Sequence, residues 1–190
     1  MTISVRLGVL SALLCLALSA ATAGGELTLA QPALVTSAGQ SADVSMAELL
    51  CKKAGIQATV LPMASAKDLK DAKTLIIVAG FSSKGLGAAG VSREEEMERV
   101  TNVIAAARKQ KMPILMMHIG GTARRGGQSD DFNTAAAEAA DCMIVVKQGD
   151  EDGLFSTIAS TQKIPIYLVE KMSAAVAPLK ELFSTTKGKQ

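Results

Sequence analysis

The stretch Thr74–Phe81, which reads TLIIVAGF, decides the fold. Its residues are apolar at consecutive positions, so both faces of the segment must be buried, which is typical of a strand inside a parallel sheet. A second run of this kind, ILMMHIG over Ile114–Gly120, follows after a long helical pattern. Two buried strands joined by a helix predict a parallel pair with a right-handed crossover. We therefore expect an α/β fold.

Further strands and helices continue this alternation in both directions along the chain. The other predicted strands cover residues 33–37, 58–61, 142–146 and 165–169. The predicted helices cover about 41–54, 64–71, 92–111, a segment that begins at Ser129, 153–161 and 173–183. Strands that alternate with helices favour parallel pairing and helices on both faces of one sheet.

Two helix starts carry recognisable capping signals. Ser92 and Glu95 form the S-x-x-E pattern of a capping box, which predicts the start of the longest helix. Ser129 is expected to cap the helix after the fourth strand. Asp130 and Asp131 would then lie in its first turn, where carboxylates suit the helix dipole.

Three loops that follow strands are rich in glycine, serine and charged residues. They are TSAGQSAD at 36–43, GFSSKGLGAAG at 80–90 and HIGGTARRGGQSDD at 118–131. In a flavodoxin-like order, 2-1-3-4-5, the strands before these loops are neighbours, whereas in the order 3-2-1-4-5-6 the third strand would be isolated at one side. We therefore predict an open three-layer sandwich with a mostly parallel, flavodoxin-like or Rossmann-like sheet, and a sixth strand beyond the fifth.

The first 23 residues resemble a secretory signal peptide. Arg6 gives a positive start, Leu7–Leu18 is a compact apolar run, and Ala21-Thr22-Ala23 is a small-x-small cleavage site. The apolar run is shorter than the roughly 20 residues that span a bilayer, so we expect no transmembrane segment after cleavage. These features predict a secreted or periplasmic protein that is cleaved after Ala23.

The rest of the chain is expected to form a single α/β domain over residues 24–183, followed by a disordered tail at 184–190. A formal net charge of +2, no tryptophan and one tyrosine give no case for nucleic-acid binding. Cys51 and Cys142 would remain after cleavage. In the predicted strand order they are too far apart for a disulfide, so both are expected to be free, buried thiols.

The loop at 118–131 contains the strongest indication of a ligand. The guanidinium groups of Arg124 and Arg125 suit carboxylate or phosphate, and the neighbouring glycines would let the backbone turn closely around it. We therefore predict a small anionic ligand. Its expected binding residues are Ser82, Lys84, Gly85, Gly87, His118, Gly120, Gly121, Arg124, Arg125 and Ser129. Alternatively, the arginines pair with Asp130 and Asp131 and only hold the loop.

The same loops leave two other functions open. A hydrolase or transferase would use Ser82 or Ser83 as nucleophile and His118 as base, with Asp130 or Asp131 orienting the imidazole. A lone histidine at the end of a buried strand is more often structural, so no catalytic residue is assigned. The third possibility is an interaction module whose loops dock a protein partner of unknown identity.

Several cofactor motifs are matched only in part. The segment 85–90 has the spacing G-x-G-x-x-G, but its helix is expected to start later, and no acidic residue ends the next strand to hold a ribose. The segment 80–87 fits neither a P-loop nor G-x-S-x-G. Asp150–Asp152 is interpreted as a solvated turn that caps the next helix, with a divalent-metal site as the alternative. We therefore predict no cofactor and no metal.

The loops also carry a family resemblance. The segments SSKGLGAAGVSREEEMERV and HIGGTARRGGQSDD, with ADCMIVV after them, resemble an uncharacterised family of secreted bacterial proteins, domain of unknown function 6305. The likeness covers about Val35 to Phe183. It implies one exported α/β domain and supplies no activity. Ser83 stands where the family's motif has a bulky aliphatic residue.

Overall fold

The computed structural model of the protein describes residues 27–184. The predicted signal peptide and nearly all of the predicted tail lie outside the described residues. No helix within 27–184 is both long and apolar enough to cross a membrane.

The described residues form one six-stranded sheet in which every pairing is parallel. Its order is β2-β1-β3-β4-β5-β6, which confirms the predicted α/β fold class. The strands are β1 (Ala33–Ala38), β2 (Ala58–Val60), β3 (Thr74–Ala79), β4 (Ile114–His118), β5 (Cys142–Val146) and β6 (Ile166–Val169). All six residues of β3 are buried, because helices cover both faces of this central strand.

The helices form a layer on each side of the sheet. They are α1 (Asp43–Ala54), α2 (Ser83–Ala89), α3 (Arg93–Lys109), α4 (Gly127–Glu138), α5 (Leu154–Gln162) and α6 (Val176–Leu182). Side chains of α1 and α6 pack on one face, and side chains of α3, α4 and α5 pack on the other. Short 3-10 turns lie at Ala66–Asp71, Gly121–Arg124, Lys147–Gly149 and Met172–Ala175. The result is the predicted three-layer sandwich.

The glycine-rich segment after β3 is a helix, so the prediction of a long loop there was wrong. Ser82 caps α2, since its Oγ accepts a hydrogen bond from the backbone N–H of Gly85 at 3.1 Å. Leu86 is buried and anchors the helix, which ends at Gly90 in the left-handed conformation. A glycine inside a helix costs only about 1 kcal/mol, which a cap and a buried leucine can offset.

The helix after β4 also begins earlier than predicted. Gly126 occupies its N-cap position, and Ser129 lies inside the first turn, where it is buried. The carboxylate of Asp130 accepts a hydrogen bond from the N–H of Gly126 at 2.9 Å. Asp130 therefore satisfies the helix start in place of Ser129, and the serine hydroxyl is left inside the fold.

The two cysteines are free and buried, as predicted. Cys51 lies in α1 and Cys142 begins β5, on different elements. Burial raises the pKa of the Cys51 thiol to about 11 and that of the Cys142 thiol to about 12. Both side chains therefore act as small apolar groups in the core.

Two glycines of α2 should respond oppositely to alanine. A Cβ on Gly85 would lie 1.8 Å from the backbone O of Gln40, whereas a Cβ on Gly87 would meet nothing within 4 Å. Gly87→Ala should therefore stabilise the protein by about 0.5–1 kcal/mol through helix propensity. Gly85→Ala should destabilise the protein by about 1–3 kcal/mol, because the backbone at Gln40 must move to make room for the methyl group. Urea denaturation measures both variants, and equal effects would contradict this packing.

Candidate functional site

A carboxylate buried under the carboxyl edge of the sheet organises the first loop. Glu96 on α3 has 0% of its surface exposed. It accepts hydrogen bonds from the backbone N–H of Gly39 at 2.9 Å and from Nε2 of Gln40 at 3.0 Å. Arg99, one turn further along α3, donates to both carboxylate oxygens at 2.8 Å. The buried charge is therefore neutralised and hydrogen-bonded at the same time.

Arg99 extends this network to β1 and to the segment after β2. Its guanidinium donates to the backbone O of Ala64 at 2.8 Å, to the backbone O of Ser37 and to Oγ1 of Thr36. The sequence interpretation missed both members of the pair. The sequence did contain a signal for the burial of Glu96. This residue precedes the core-facing Val100 by four positions and so lies on the buried face of α3.

The loops after β1 and β3 touch each other at the carboxyl edge of the sheet. The N–H of Ser82 donates to the O of Gly39 at 2.7 Å, and Gln40 forms an isolated antiparallel bridge with Phe81. A Cβ on Gly39 would lie 2.7 Å from the O of Gly80, so only glycine allows this approach. The connections of the sheet change direction between β1 and β3. At the carboxyl ends of these two strands, the space between the loops is therefore filled by packed backbone.

Arg124 lies where the loops after β1, β3 and β4 meet. Its Nε donates to Oδ2 of Asp43 at 3.3 Å, and its Nη1 donates to the backbone O of Phe81 at 3.3 Å. A Cβ on Gly80 would lie 3.2 Å from the Arg124 side chain, and one on Gly120 would lie 2.2 Å from it. The aliphatic part of Arg124 is thus held between two glycines, and 26% of the side chain stays exposed.

Arg125 has different partners from Arg124 and meets a dense set of acceptors. Its Nε donates to Asp130 at 2.7 Å, and its two terminal nitrogens donate to the carboxylate of Asp152 at 2.9 and 2.7 Å. It also donates to the backbone O of Gly149 and lies over the ring of Phe155. Arg125 therefore holds the turn after β4 against the turn after β5.

The charges of this network shift the pKa values of both carboxylates. The hydrogen bond from Arg125 lowers the pKa of Asp152 to about 2. Burial raises the pKa of Asp130, but hydrogen bonds from Arg125 and Asn133 outweigh it, and the pKa lies below its usual value. The pKa of Arg125 is raised chiefly by its hydrogen bond to Asp152. All three groups are therefore charged at neutral pH.

The alternative prediction, that the arginines pair with Asp130 and Asp131, holds for one carboxylate. Asp130 pairs with Arg125, as just described. Asp131 pairs with Arg93 at the start of α3, a contact across the sequence that the loop motif does not indicate. Arg93 also lies over the ring of Phe132, so α3 and α4 are joined here by charge and by stacking.

His118 is enclosed at the end of β4. It has 0% of its surface exposed, its ring lies 4.8 Å from the ring of Phe155, and a Cβ on Gly149 would lie 2.3 Å from it. Its Nε2 lies 3.2 Å from the backbone O of Gly121. Burial is the main cause that lowers the pKa of His118, so the imidazole is neutral at neutral pH.

The candidate nucleophiles lie away from this histidine. The Ser82 hydroxyl is used in the α2 cap, and Ser83 is exposed on the first turn of that helix. Within residues 27–184, no hydrogen bond joins either serine to His118, or His118 to Asp130 or Asp131. Lys84 and Gly87 are exposed on α2 and do not reach the buried groups.

The acidic turn after β5 caps the next helix, as its sequence indicated. Oδ1 of Asp150 accepts hydrogen bonds from the N–H groups of Phe155 at 2.7 Å and Ser156 at 3.3 Å. Oδ1 of Asp152 accepts one from the N–H of Leu154 at 3.2 Å. In the part of the chain that the structure describes, no group of three or more His, Cys, Asp and Glu side chains could hold a metal ion.

Two clefts open at this edge of the sheet. One of about 230 Å³ borders Arg125, but Asp130, Glu151 and Asp152 also line it, so it does not suit an anion. The other, about 680 Å³, lies between α2 and the segment after β2, with Met63, Lys67 and Ala88 in its wall. Neither cleft is lined by Arg124.

The fold and the edge loops define a doubly wound α/β domain with its charged residues at the carboxyl ends of the strands. The chain belongs to the family described as "Domain of unknown function (DUF6305)", whose model matches residues 30–183. No curated protein matches its sequence.

Some solved structures resemble the chain distantly. The SGNH-hydrolase family esterase AlinE4 is 14% identical over 87% of both chains, with a TM-score of 0.31. An archaeal fructose 1,6-bisphosphate aldolase is 14% identical over 72% of this chain and 73% of the other, with a TM-score of 0.27. Similarity this low does not transfer an activity or a site.

His118 should make the stability of the protein depend on pH. The unfolded histidine takes up a proton near its usual pKa of about 6.5, but burial lowers the pKa of the folded one. Stability should therefore be full above about pH 6.5 and fall by up to about 1.4 kcal/mol per pH unit below it, until the folded pKa is reached.

Urea denaturation of the protein and of His118→Gln, from about pH 7.5 to 5, measures this dependence. Because His118 is the only histidine, the variant should lose most of the slope in this range. Parallel profiles for the two proteins would contradict the assignment of a buried neutral imidazole.

Proposed function

We propose that the protein binds a small anionic ligand at the carboxyl edge of its sheet and that Arg124 is the group that neutralises the ligand. One observation carries this proposal. Arg124 lies where the loops after β1, β3 and β4 meet, and doubly wound folds hold their ligands outside the carboxyl ends of their strands. Its side chain is partly exposed, and its guanidinium makes only long hydrogen bonds, both 3.3 Å, to residues within 27–184.

Arg125 is poorly suited to the same role, although it is adjacent in the sequence. Its guanidinium already meets two carboxylates and a carbonyl, and 12% of the side chain is exposed. An incoming anion would be repelled by Asp130 and Asp152 and would have to displace short hydrogen bonds. Arg124 faces a single carboxylate, that of Asp43, at a distance where the hydrogen bond is weak.

The surroundings of Arg124 favour an anion. Gly80 and Gly120 fix the side chain, so little conformational entropy is lost when a ligand binds. Helix α1 begins at this edge and directs the positive end of its dipole towards it. Lys84 adds an exposed positive charge on the first turn of α2. A carboxylate or phosphate group would gain from all three.

A thermal-shift screen of phosphate, sulfate and di- and tricarboxylates tests the proposal. At a hundred times its dissociation constant a ligand stabilises the fold by about 2.7 kcal/mol, which raises the midpoint by roughly 5–10 °C. Arg124→Ala should abolish this shift and change the ligand-free midpoint little. Arg125→Ala should lower the ligand-free midpoint, because Asp130 loses its partner inside the fold, and should keep the shift.

Arg108→Ala is the matched control, since it removes a similarly placed ion pair with Asp141 at the opposite edge of the sheet. It should keep the shift. If no anion raises the midpoint, or if Arg124→Ala keeps the full shift, the proposal fails. Turnover of an ester or phosphoester that disappears in Ser82→Ala would favour the hydrolase alternative instead.

The extracytoplasmic location is part of the proposal and rests on the signal-like sequence of residues 1–23. Intact-mass analysis of the protein from the exported fraction of its host should find a chain that begins at Gly24. A chain that keeps residues 1–23, or that carries a lipid on Cys15, would overturn this location.

A further inference from the structure

Within residues 27–184, one of the two nitrogens of His118 has a hydrogen-bond partner and the other has none. Nε2 lies 3.2 Å from the backbone O of Gly121, and a carbonyl oxygen can only accept, so Nε2 must carry the hydrogen of this bond. A neutral imidazole has a single N–H. Nδ1 of the neutral ring is therefore without a hydrogen, and it is buried with no hydrogen-bond partner among the residues that the structure describes.

A second buried atom without a partner belongs to the side chain of Asn133 on α4. The amide nitrogen of Asn133 donates to the backbone O of Arg124 at 2.9 Å and to Oδ1 of Asp130 at 3.0 Å, which fixes the orientation of the amide. Oδ1 of Asn133 is thus turned the other way, buried and also without a hydrogen-bond partner within residues 27–184. It lies close enough to His118 to raise the pKa of the imidazole.

We propose that His118 is a proton-operated latch, in which a proton on Nδ1 completes a hydrogen bond to Oδ1 of Asn133. One proton then satisfies two buried atoms that the neutral ring leaves unsatisfied. The bond would tie β4 to α4 across the turn at Gly121–Arg124. Because Asn133 also holds the backbone O of Arg124, the latch would stiffen the segment that carries both arginines.

The groups around His118 set the conditions under which the latch closes. Burial opposes the proton most, and Arg125 opposes it by charge, whereas the bond to Gly121 and the charge of Asp43 favour it. The other neighbours are uncharged: Phe155 on α5, Val145 paired on β5, and Gly149. The latch is therefore open at neutral pH and closes only below the usual histidine pKa of about 6.5.

An NMR titration of the sole histidine tests the latch directly. In the protein, the imidazole signals should titrate below pH 6.5 while the fold remains intact. Asn133→Ala removes the acceptor, so the proton affinity of His118 should fall about tenfold, the effect of one lost hydrogen bond. Asn133→Asp offers a charged acceptor and should raise the affinity above that of the unmodified protein.

Asn102→Ala, an exposed asparagine on α3, is the control and should leave the titration unchanged. A titration that is the same in Asn133→Ala, or a histidine that takes up no proton until the fold is lost, would overturn the latch. The experiment contains no anion, so its outcome is independent of ligand binding at Arg124. A tenfold loss of proton affinity would support the latch even if the anion screen found no ligand.

Discussion

The buried carboxylate of Glu96 is the group on which the carboxyl edge depends. A charge inside the fold is tolerated only when it is paired and its lone pairs are satisfied, and removing one partner of such a pair costs about 3–5 kcal/mol. Here Arg99 supplies the charge, and the loop after β1 supplies the remaining donors, Gly39 and Gln40. The ion pair on α3 therefore determines the path of a loop that belongs to another element.

The position of the loop after β1 also determines how the other segments at the carboxyl edge pack. The backbone of Gly39 rests on that of Gly80, and the O of Gln40 meets α2 at Gly85, so three elements close around one point. The same loop then starts α1 with Asp43, whose carboxylate faces Arg124. Two adjacent arginines thus acquire different surroundings. Arg125 is saturated by acceptors, and Arg124 keeps unused hydrogen-bonding capacity at the meeting point of the loops.

The sequence predicted the strands and their order better than it predicted the site. A continuous apolar run such as 74–79 is most readily interpreted as a buried strand. The strand order followed from the requirement that the three glycine-rich and charged loops lie next to each other. The helix at residues 83–89 was not predicted, because the glycines there indicated a loop. The signals for a helix were weaker, namely the capping residue Ser82 and the buried Leu86. The loop donors to Glu96 and the partner of Asp131 come from distant segments, which no local pattern encodes.

The pairing of β1 has a consequence for the order in which the chain can fold. It pairs with β2 through three residues and with β3 through six, although β2 follows it first in the chain. A nascent chain that ends before residue 74 therefore has β1 and α1 but lacks β3, the strand that pairs with all six residues of β1. The pairing of β1 with β3 joins residues about 40 positions apart, so the formation of the sheet requires the closure of a long loop. The unit formed by β1, α1 and β2 therefore has little stability on its own.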